Sequence, residues 1–262
     1  MKGHNYMEIR DILIYFAIIY EGDYDAIYDA VKSKKQVDYK DLEIKLSSLK
    51  CNCLTILDAD YPTYLKNVYK PPFVLFYYGD ISLLKHHQIL SVVGTRHPTN
   101  YGKLICKKIL NELLIDQDIV ICSGLALGID SISHEAAIEN NKKTIAVLAN
   151  GIDNYYLKNN IDIYNKIKKN GLLISEYPTD TNVCKENFRV RNRLIASIGK
   201  IIFIPEAKIK SGTMITVKYA LELGKDILCV PCDIDRRDSI TNYLIKQGAK
   251  LVDNYLDILD EF

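Results

Sequence analysis

Ile89-Leu90-Ser91-Val92-Val93-Gly94-Thr95-Arg96 is a short apolar run that closes on a glycine. An amphipathic stretch over Tyr101–Leu114 follows, and then a second apolar run, Ile119–Cys122, leads into Ser123-Gly124. Both runs are continuous rather than alternating, which marks strands buried on both faces. A buried strand, a helical stretch and another buried strand make a parallel unit whose helix covers the sheet.

The same alternation extends in both directions. Further runs lie at Leu54–Leu57, Phe73–Tyr77, Thr144–Leu148, Leu172–Ser175, Lys200–Ile204, Ile227–Val230 and Lys250–Val252. Helical patterns lie at Ile129–Asn140, Ile161–Lys169, Gly212–Leu223 and Ile240–Gln247. The chain therefore reads as α/β, with a Rossmann-like, doubly wound and mostly parallel sheet over residues 53–262. Residues 1–52 read as a small all-helical module, with helical spacing over Glu8–Tyr20, Tyr24–Ser33 and Tyr39–Leu49.

The 262 residues carry 34 Lys and Arg against 33 Asp and Glu, for a formal net charge of +1. This balance tells against a protein that coats nucleic acid with its whole surface, but not against a local basic site. The 48% hydrophobic and 26% charged fractions exclude a disordered or coiled-coil chain. Arg supplies only seven of the basic residues, and three of these fall between Arg189 and Arg193. The seven Cys come without a secretion signal and read as reduced thiols of a cytoplasmic protein. Cys51-x-Cys53 and Cys229-x-x-Cys232 have the look of metal pairs but lack two further ligands at suitable spacing, so buried thiols and no metal are expected. The longest early apolar run, Ile12–Tyr20, falls well short of the roughly 20 residues that span a bilayer.

Ligands of such sheets bind beyond the carboxyl ends of the strands. Gly94 allows a close backbone approach there, and the Arg96 fork suits either a phosphate or a loop carboxylate. Ser123-Gly124-x-Ala126-x-Gly128-Ile129-Asp130 is a strand-to-helix turn whose N–H groups can meet an anion, or pack tightly. Asp130 and His134 share a helix face. Ser211-Gly212-Thr213 opens another helix, as a phosphate contact strengthened by Lys208 and Lys210 or as a plain cap. Lys185-Glu186-Asn187-Phe188-Arg189-Val190-Arg191-Asn192-Arg193 interleaves cations with one aromatic ring, which is what a single-stranded nucleic acid needs. The bland alternative is a solvated loop whose Arg residues pair with Glu176 and Glu206.

Taken in order, these motifs resemble the DNA-processing protein DprA/Smf family. The likeness runs from Tyr61-Pro62 and Pro71-Pro72 through Val93-Gly94-Thr95-Arg96, Ser123-Gly124-x-Ala126-x-Gly128-Ile129-Asp130 and Gly171-x-x-Ile174-Ser175-Glu176. It continues with Phe188-x-x-Arg191-Asn192-Arg193, Glu206-Ala207, Ser211-Gly212-Thr213-x-x-Thr216 and Asn242-x-Leu244-Ile245-x-x-Gly248-Ala249. The resemblance implies an extended Rossmann-like domain that binds single-stranded DNA, protects incoming strands and loads the RecA recombinase in natural transformation. It implies a homodimer with no established catalytic activity, no cofactor and no membrane partner. Carried across, Gly94, Arg96, Ser123, Gly124, Lys185, Phe188, Arg189, Arg191, Asn192, Arg193, Ser211, Gly212 and Thr213 would contact DNA or line its groove. Residues 1–52 would correspond to a SAM-like module, and a C-terminal winged-helix module is not expected.

The chain departs from the family pattern at Arg189, where Pro is usual, and at Leu157, where Pro usually follows a Tyr. It departs again at Cys232 and Ile240, where Gly is usual. The competing expectation is an enzyme, a nucleotide phosphoribohydrolase on a related fold, with Glu176 and Glu206 as candidate acids. Against it, the Ser211-Gly212-Thr213-Met214 turn lacks the Gly-Gly and the following Glu of that group.

Overall fold

The computed structural model describes residues 8–262 apart from 155–157, 210 and 237. Lys210 and the Tyr156-Leu157 pair therefore lie outside the described residues. Three helices come first, α1 (Ile9–Ile19), α2 (Tyr24–Lys32) and α3 (Tyr39–Ser47). Then follow β1 (Asn52–Thr55), α4 (Thr63–Lys66), β2 (Val74–Gly79), β3 (Ile89–Val92), α5 (Asn100–Leu114), β4 (Val120–Ser123), α6 (Ile129–Glu139) and β5 (Thr144–Val147). The second half runs α7 (Ile161–Asn170), β6 (Leu172–Ser175), α8 (Lys185–Ile198), β7 (Ile201–Ile204), α9 (Thr213–Glu222), β8 (Ile227–Cys229), α10 (Thr241–Lys246), β9 (Lys250–Leu251) and α11 (Leu256–Leu259).

Each of the nine apolar runs forms a strand of one sheet, in the order β1-β2-β6-β5-β4-β3-β7-β8-β9. From β6 to β9 every pairing is parallel, while β2 runs antiparallel to both β1 and β6. The continuous runs divide by alternation between two buried faces. Val120, Cys122, Ile202 and Ile204 pack with Leu194, Ile195, Val217 and Leu244 from α8, α9 and α10. Ile121, Ile201 and Phe203 face the other way, toward Ile109, Leu113 and Ala136 of α5 and α6.

The N-terminal helices close over the antiparallel end. Leu13, Ile14, Phe16 and Ala17 of α1 share one apolar cluster with Val74 and Phe76 of β2, Leu173 of β6 and Ile167 of α7. Arg10 fastens this helix to the sheet edge, donating from Nε to Asp58 at 2.9 Å and from Nη2 to the Cys53 carbonyl at 2.8 Å.

Lys185–Arg193 shows no regular element by hydropathy, yet the structure places it in the first turns of the 14-residue α8. The inward stripe of this helix is Phe188, Arg191, Ile195 and Ile198, so a guanidinium stands where helical periodicity expects an apolar residue. The short α4 and α11 were not read either, since four residues carry almost no periodic signal.

β3 and β7 are neighbours, yet the chain leaves β3 in one direction and returns to β7 only after completing β4, β5 and β6. The order reverses between them, which makes their carboxyl ends the expected ligand site.

Because α1 and β2 share a core, Phe16→Ala is expected to destabilise the sheet with the helices. A cost of about 3–5 kcal/mol should appear in urea unfolding. One cooperative transition is expected, and a separate early step confined to the helical signal would mean that residues 8–52 unfold on their own.

Candidate functional site

An open cleft of about 770 Å³ lies at that reversal. Its walls are the turn after β3 (Val93 to His97), the amino-terminal half of α8, and the segment from Lys208 into α9. Ten of the thirteen residues expected from the sequence line it: Gly94, Arg96, Lys185, Phe188, Arg189, Arg191, Asn192, Ser211, Gly212 and Thr213. Among the described residues, five cations, Arg96, Lys185, Arg189, Arg191 and Lys208, line it with one carboxylate, Asp130. A chain of near-zero net charge thus presents a locally positive concavity.

Phe188 is half-buried between two guanidinium groups. The Arg96 guanidinium carbon lies 4.8 Å from the ring centroid and that of Arg191 lies 5.9 Å away. Each cation is drawn to the negative face of the ring. Arg96 is exposed and pairs with no carboxylate among the described residues, so of its two sequence readings the loop ion pair is not the one formed. Arg189 stands 61% exposed with only a 3.8 Å contact to Glu186, and Lys185 is exposed beside it. Asn192 donates from Nδ2 to the Gly212 carbonyl at 3.2 Å, which ties α8 to the mouth of α9.

Arg191 is only 4% exposed. Its Nη1 donates to the Gly124 carbonyl at 2.8 Å and to that of Val147, at the ends of β4 and β5. Burial brings its pKa down to about 10, with the Asp130 carboxylate opposing and the Arg96 charge adding to the fall. It stays protonated at neutral pH. Gly124 explains how the group fits, because a Cβ there would overlap the guanidinium. Gly128 plays the matching part below the β3 turn. At φ +81° it sits in the left-handed region, and a side chain would run into the Thr95 carbonyl.

Three expected contacts are placed elsewhere. Arg193 is 2% exposed and spends its whole fork inside the protein. Nη1 and Nη2 grip Glu176 at 2.6 and 2.5 Å, Nε donates to the Tyr69 carbonyl at 2.8 Å, and Nη2 reaches that of Lys70 at 2.7 Å. Two residues along a helix turn a side chain by about 200°, so Arg191 and Arg193 leave opposite sides of α8. Ser123 is fully buried and donates its hydroxyl to the Val92 carbonyl at 2.6 Å, stitching β4 to β3. Gly124 meets Arg191 rather than the cleft.

The two strand-top acids are equally committed. Glu176 is held by Arg193, while Glu206 accepts from the Thr99 N–H and hydroxyl at 3.0 and 2.9 Å and from Arg236 at 2.7 Å. His134 is buried, with Nδ1 2.7 Å from the Thr144 hydroxyl, and burial pushes its pKa down to about 3. Asp130 turns away from it and accepts from the Ala126 N–H at 3.3 Å. His97 and Val183 line the cleft without having been expected. His97 follows directly on the Gly94-Thr95-Arg96 turn, a position that carried the signal.

No group of three or more potential metal ligands converges among the described residues. No helix among them is long and apolar enough to cross a membrane.

The family model for DNA recombination-mediator protein A matches residues 52–262. DNA processing protein DprA of Bacillus subtilis (strain 168) is 38% identical over 211 residues, covering 80% of this chain and 71% of the relative. DNA processing protein DprA of Streptococcus pneumoniae is 37% identical over 234 residues, covering 89% and 82%. The X-ray structure of DNA processing protein A from S. pneumoniae superposes with a TM-score of 0.81 at 33% identity, over 96% of this chain and 93% of that one. DNA processing protein A from Helicobacter pylori, solved for its single-stranded DNA binding mode, gives a TM-score of 0.71 at 31% identity, over 82% and 96%. With its sheet, its strand-top cleft and these relatives in agreement, the chain belongs to the DNA recombination-mediator protein A family.

Proposed function

We propose that the protein binds single-stranded DNA in the cleft between β3 and β7 and passes it to the RecA recombinase in natural transformation. The observation that carries this reading is the Phe188 ring clasped by Arg96 and Arg191 within a concavity of five cations. The H. pylori relative's single-stranded DNA binding mode supports it. In the free protein the exposed Arg96 fork covers one face of Phe188. On binding, that fork takes a phosphate and a base takes its place on the ring, an exchange that any base can make. Arg191 holds its position beneath the strand ends, while Lys185 and Arg189 meet phosphates along the exposed side of α8. The protein works as a homodimer in the cytoplasm and without turnover. Transformation, the RecA partner and the dimer rest on the family resemblance. A phosphoribohydrolase is disfavoured because both strand-top acids are buried and held in ion pairs, Glu176 by Arg193 and Glu206 by the partly exposed Arg236. Release of free base from a nucleoside monophosphate would reinstate that reading.

Fluorescence anisotropy with oligothymidylate should give a log affinity that falls with log salt by about 0.7 per phosphate neutralised. Absence of binding at low salt would defeat the proposal. Phe188→Ala should weaken binding by about 1–3 kcal/mol, as loss of one stacked base does. Arg96→Ala should weaken binding to all sequences alike and leave unfolding unchanged. Arg193→Ala should do the reverse of Arg96→Ala, lowering stability by about 3–5 kcal/mol because it strands the buried Glu176.

Sedimentation equilibrium should return a mass near twice the chain's 29.9 kDa. The protein should also shorten the lag before RecA hydrolyses ATP on strands coated with single-strand-binding protein. An unchanged lag would remove the loading step and leave strand binding standing.

A further inference from the structure

The cations of the cleft attract every phosphate of a strand alike, but the mouth of α9 is built differently. This ten-residue helix opens on Gly212, which supplies no side-chain cap. The N–H groups of Gly212 and Thr213 meet no acceptor among the described residues. Two hydroxyls face the cleft from the same helix side, Thr213 at 5% and Thr216 at 1% exposure, and neither has a hydrogen-bond partner among the described residues. Behind them the Ser211 hydroxyl is shielded from solvent and also unpartnered. The two threonine side chains are thus buried except where their hydroxyls open on the cleft, which leaves those hydroxyls available to a ligand there. Asn192 fixes the turn through the Gly212 carbonyl, and Lys208 stands at its entrance, 3.1 Å from Asp238.

Four donors open on this mouth, the Gly212 and Thr213 N–H groups and the Thr213 and Thr216 hydroxyls, and they are spread widely enough to be shared among three phosphate oxygens. A phosphodiester offers two free oxygens and one charge, and the chain continues from both of its ester oxygens. A phosphate monoester offers three free oxygens and a charge of about −1.5 to −2 at neutral pH, and only one side of it carries a chain. It can therefore sit end-on in the mouth, taking the N–H groups and Thr213 on its rim and Thr216 one turn deeper.

We propose that the mouth of α9 is a phosphate-monoester subsite, one that takes the terminal phosphate of a DNA strand or the phosphate of a free nucleotide in preference to a mid-strand diester. Only the strand-end form rests on the single-stranded DNA reading above.

The test compares internally labelled oligothymidylates carrying a 5′-phosphate, a 3′-phosphate or neither, by anisotropy at fixed salt. Thermal shift with thymidine monophosphate against thymidine runs in parallel. One phosphorylated end should bind about tenfold tighter than the hydroxyl-ended strand. The ratio should collapse toward one in T213V/T216V and persist in T213S/T216S, which keeps the hydroxyls. Stabilisation by the monophosphate but not by thymidine, with strands indifferent to their ends, would assign the subsite to free nucleotides. If no strand binds while the monophosphate still stabilises, the subsite stands and the strand reading falls. Equal affinity for all three strands, with no shift from the monophosphate, would overturn the subsite and leave strand binding intact. Both ligand comparisons use the unaltered protein, so neither depends on the variants folding.

Discussion

The buried guanidinium of Arg191 is the contact on which the cleft is organised. It gives hydrogen bonds to the last carbonyls of two adjacent parallel strands, through Gly124 and Val147. Strand ends leave such carbonyls without ladder partners, and a buried one must be satisfied. Arg191 meets that need and in doing so fixes the height of α8 above the sheet. The neighbouring residues then fall into place: Asn192 reaches the mouth of α9, and Phe188, one turn earlier, is delivered to Arg96 at the end of β3. The desolvation of this cation is offset only in part, by charge-assisted bonds and by the field of Asp130. The result is a floor that remains positive at neutral pH without being accessible to solvent.

α8 divides its charges by direction. Lys185 and Arg189 project outward, Arg191 points under the strand ends, and Arg193 passes beneath the turn at Tyr69-Lys70 to Glu176. Four cations within nine residues therefore do three different jobs. Lys70 itself adopts a left-handed conformation, φ +51°, which a side-chain-bearing residue takes only when its surroundings hold it there. Arg193 supplies that hold through the carbonyls of Tyr69 and Lys70. The bidentate fork is what permits one residue to bind a carboxylate and two carbonyls together, a combination beyond a Lys.

The sheet was legible in the sequence because strands buried on both faces, such as Ile119–Cys122 and Lys200–Ile204, write themselves as unbroken apolar runs. The location of the cleft was legible for a related reason, since glycines and hydroxyls gather after Val93, Cys122 and Ile204. What escaped was direction. Residues 185–198 carry their helical period through Phe188, Arg191, Ile195 and Ile198, and a hydropathy count scores Arg191 as a break in that stripe. For the same reason the three Arg residues from 189 to 193 looked equivalent, although helical geometry sends 191 and 193 to opposite sides. Ser123 misled differently. A serine at a strand end reads as an anion contact, but the Val92 carbonyl lies 2.6 Å away and takes its hydroxyl first.

What the cleft displays also bears on how much sequence it can read. Discrimination among bases needs polar groups held in fixed directions against base edges. Asn192 lines the cleft, but its amide is oriented from both ends, one Nδ2 N–H going to the Gly212 carbonyl and Oδ1 accepting from Arg191 at 3.2 Å. Asp130 is turned toward the Ala126 N–H. The exposed cations Lys185, Arg96 and Arg189 are not locked against a base edge, and the helix N–H groups and the one aromatic ring meet features common to every nucleotide. A strand lying here would be held by its backbone and by stacking. The chemistry of the cleft therefore favours binding in which backbone contacts and stacking outweigh the order of the bases.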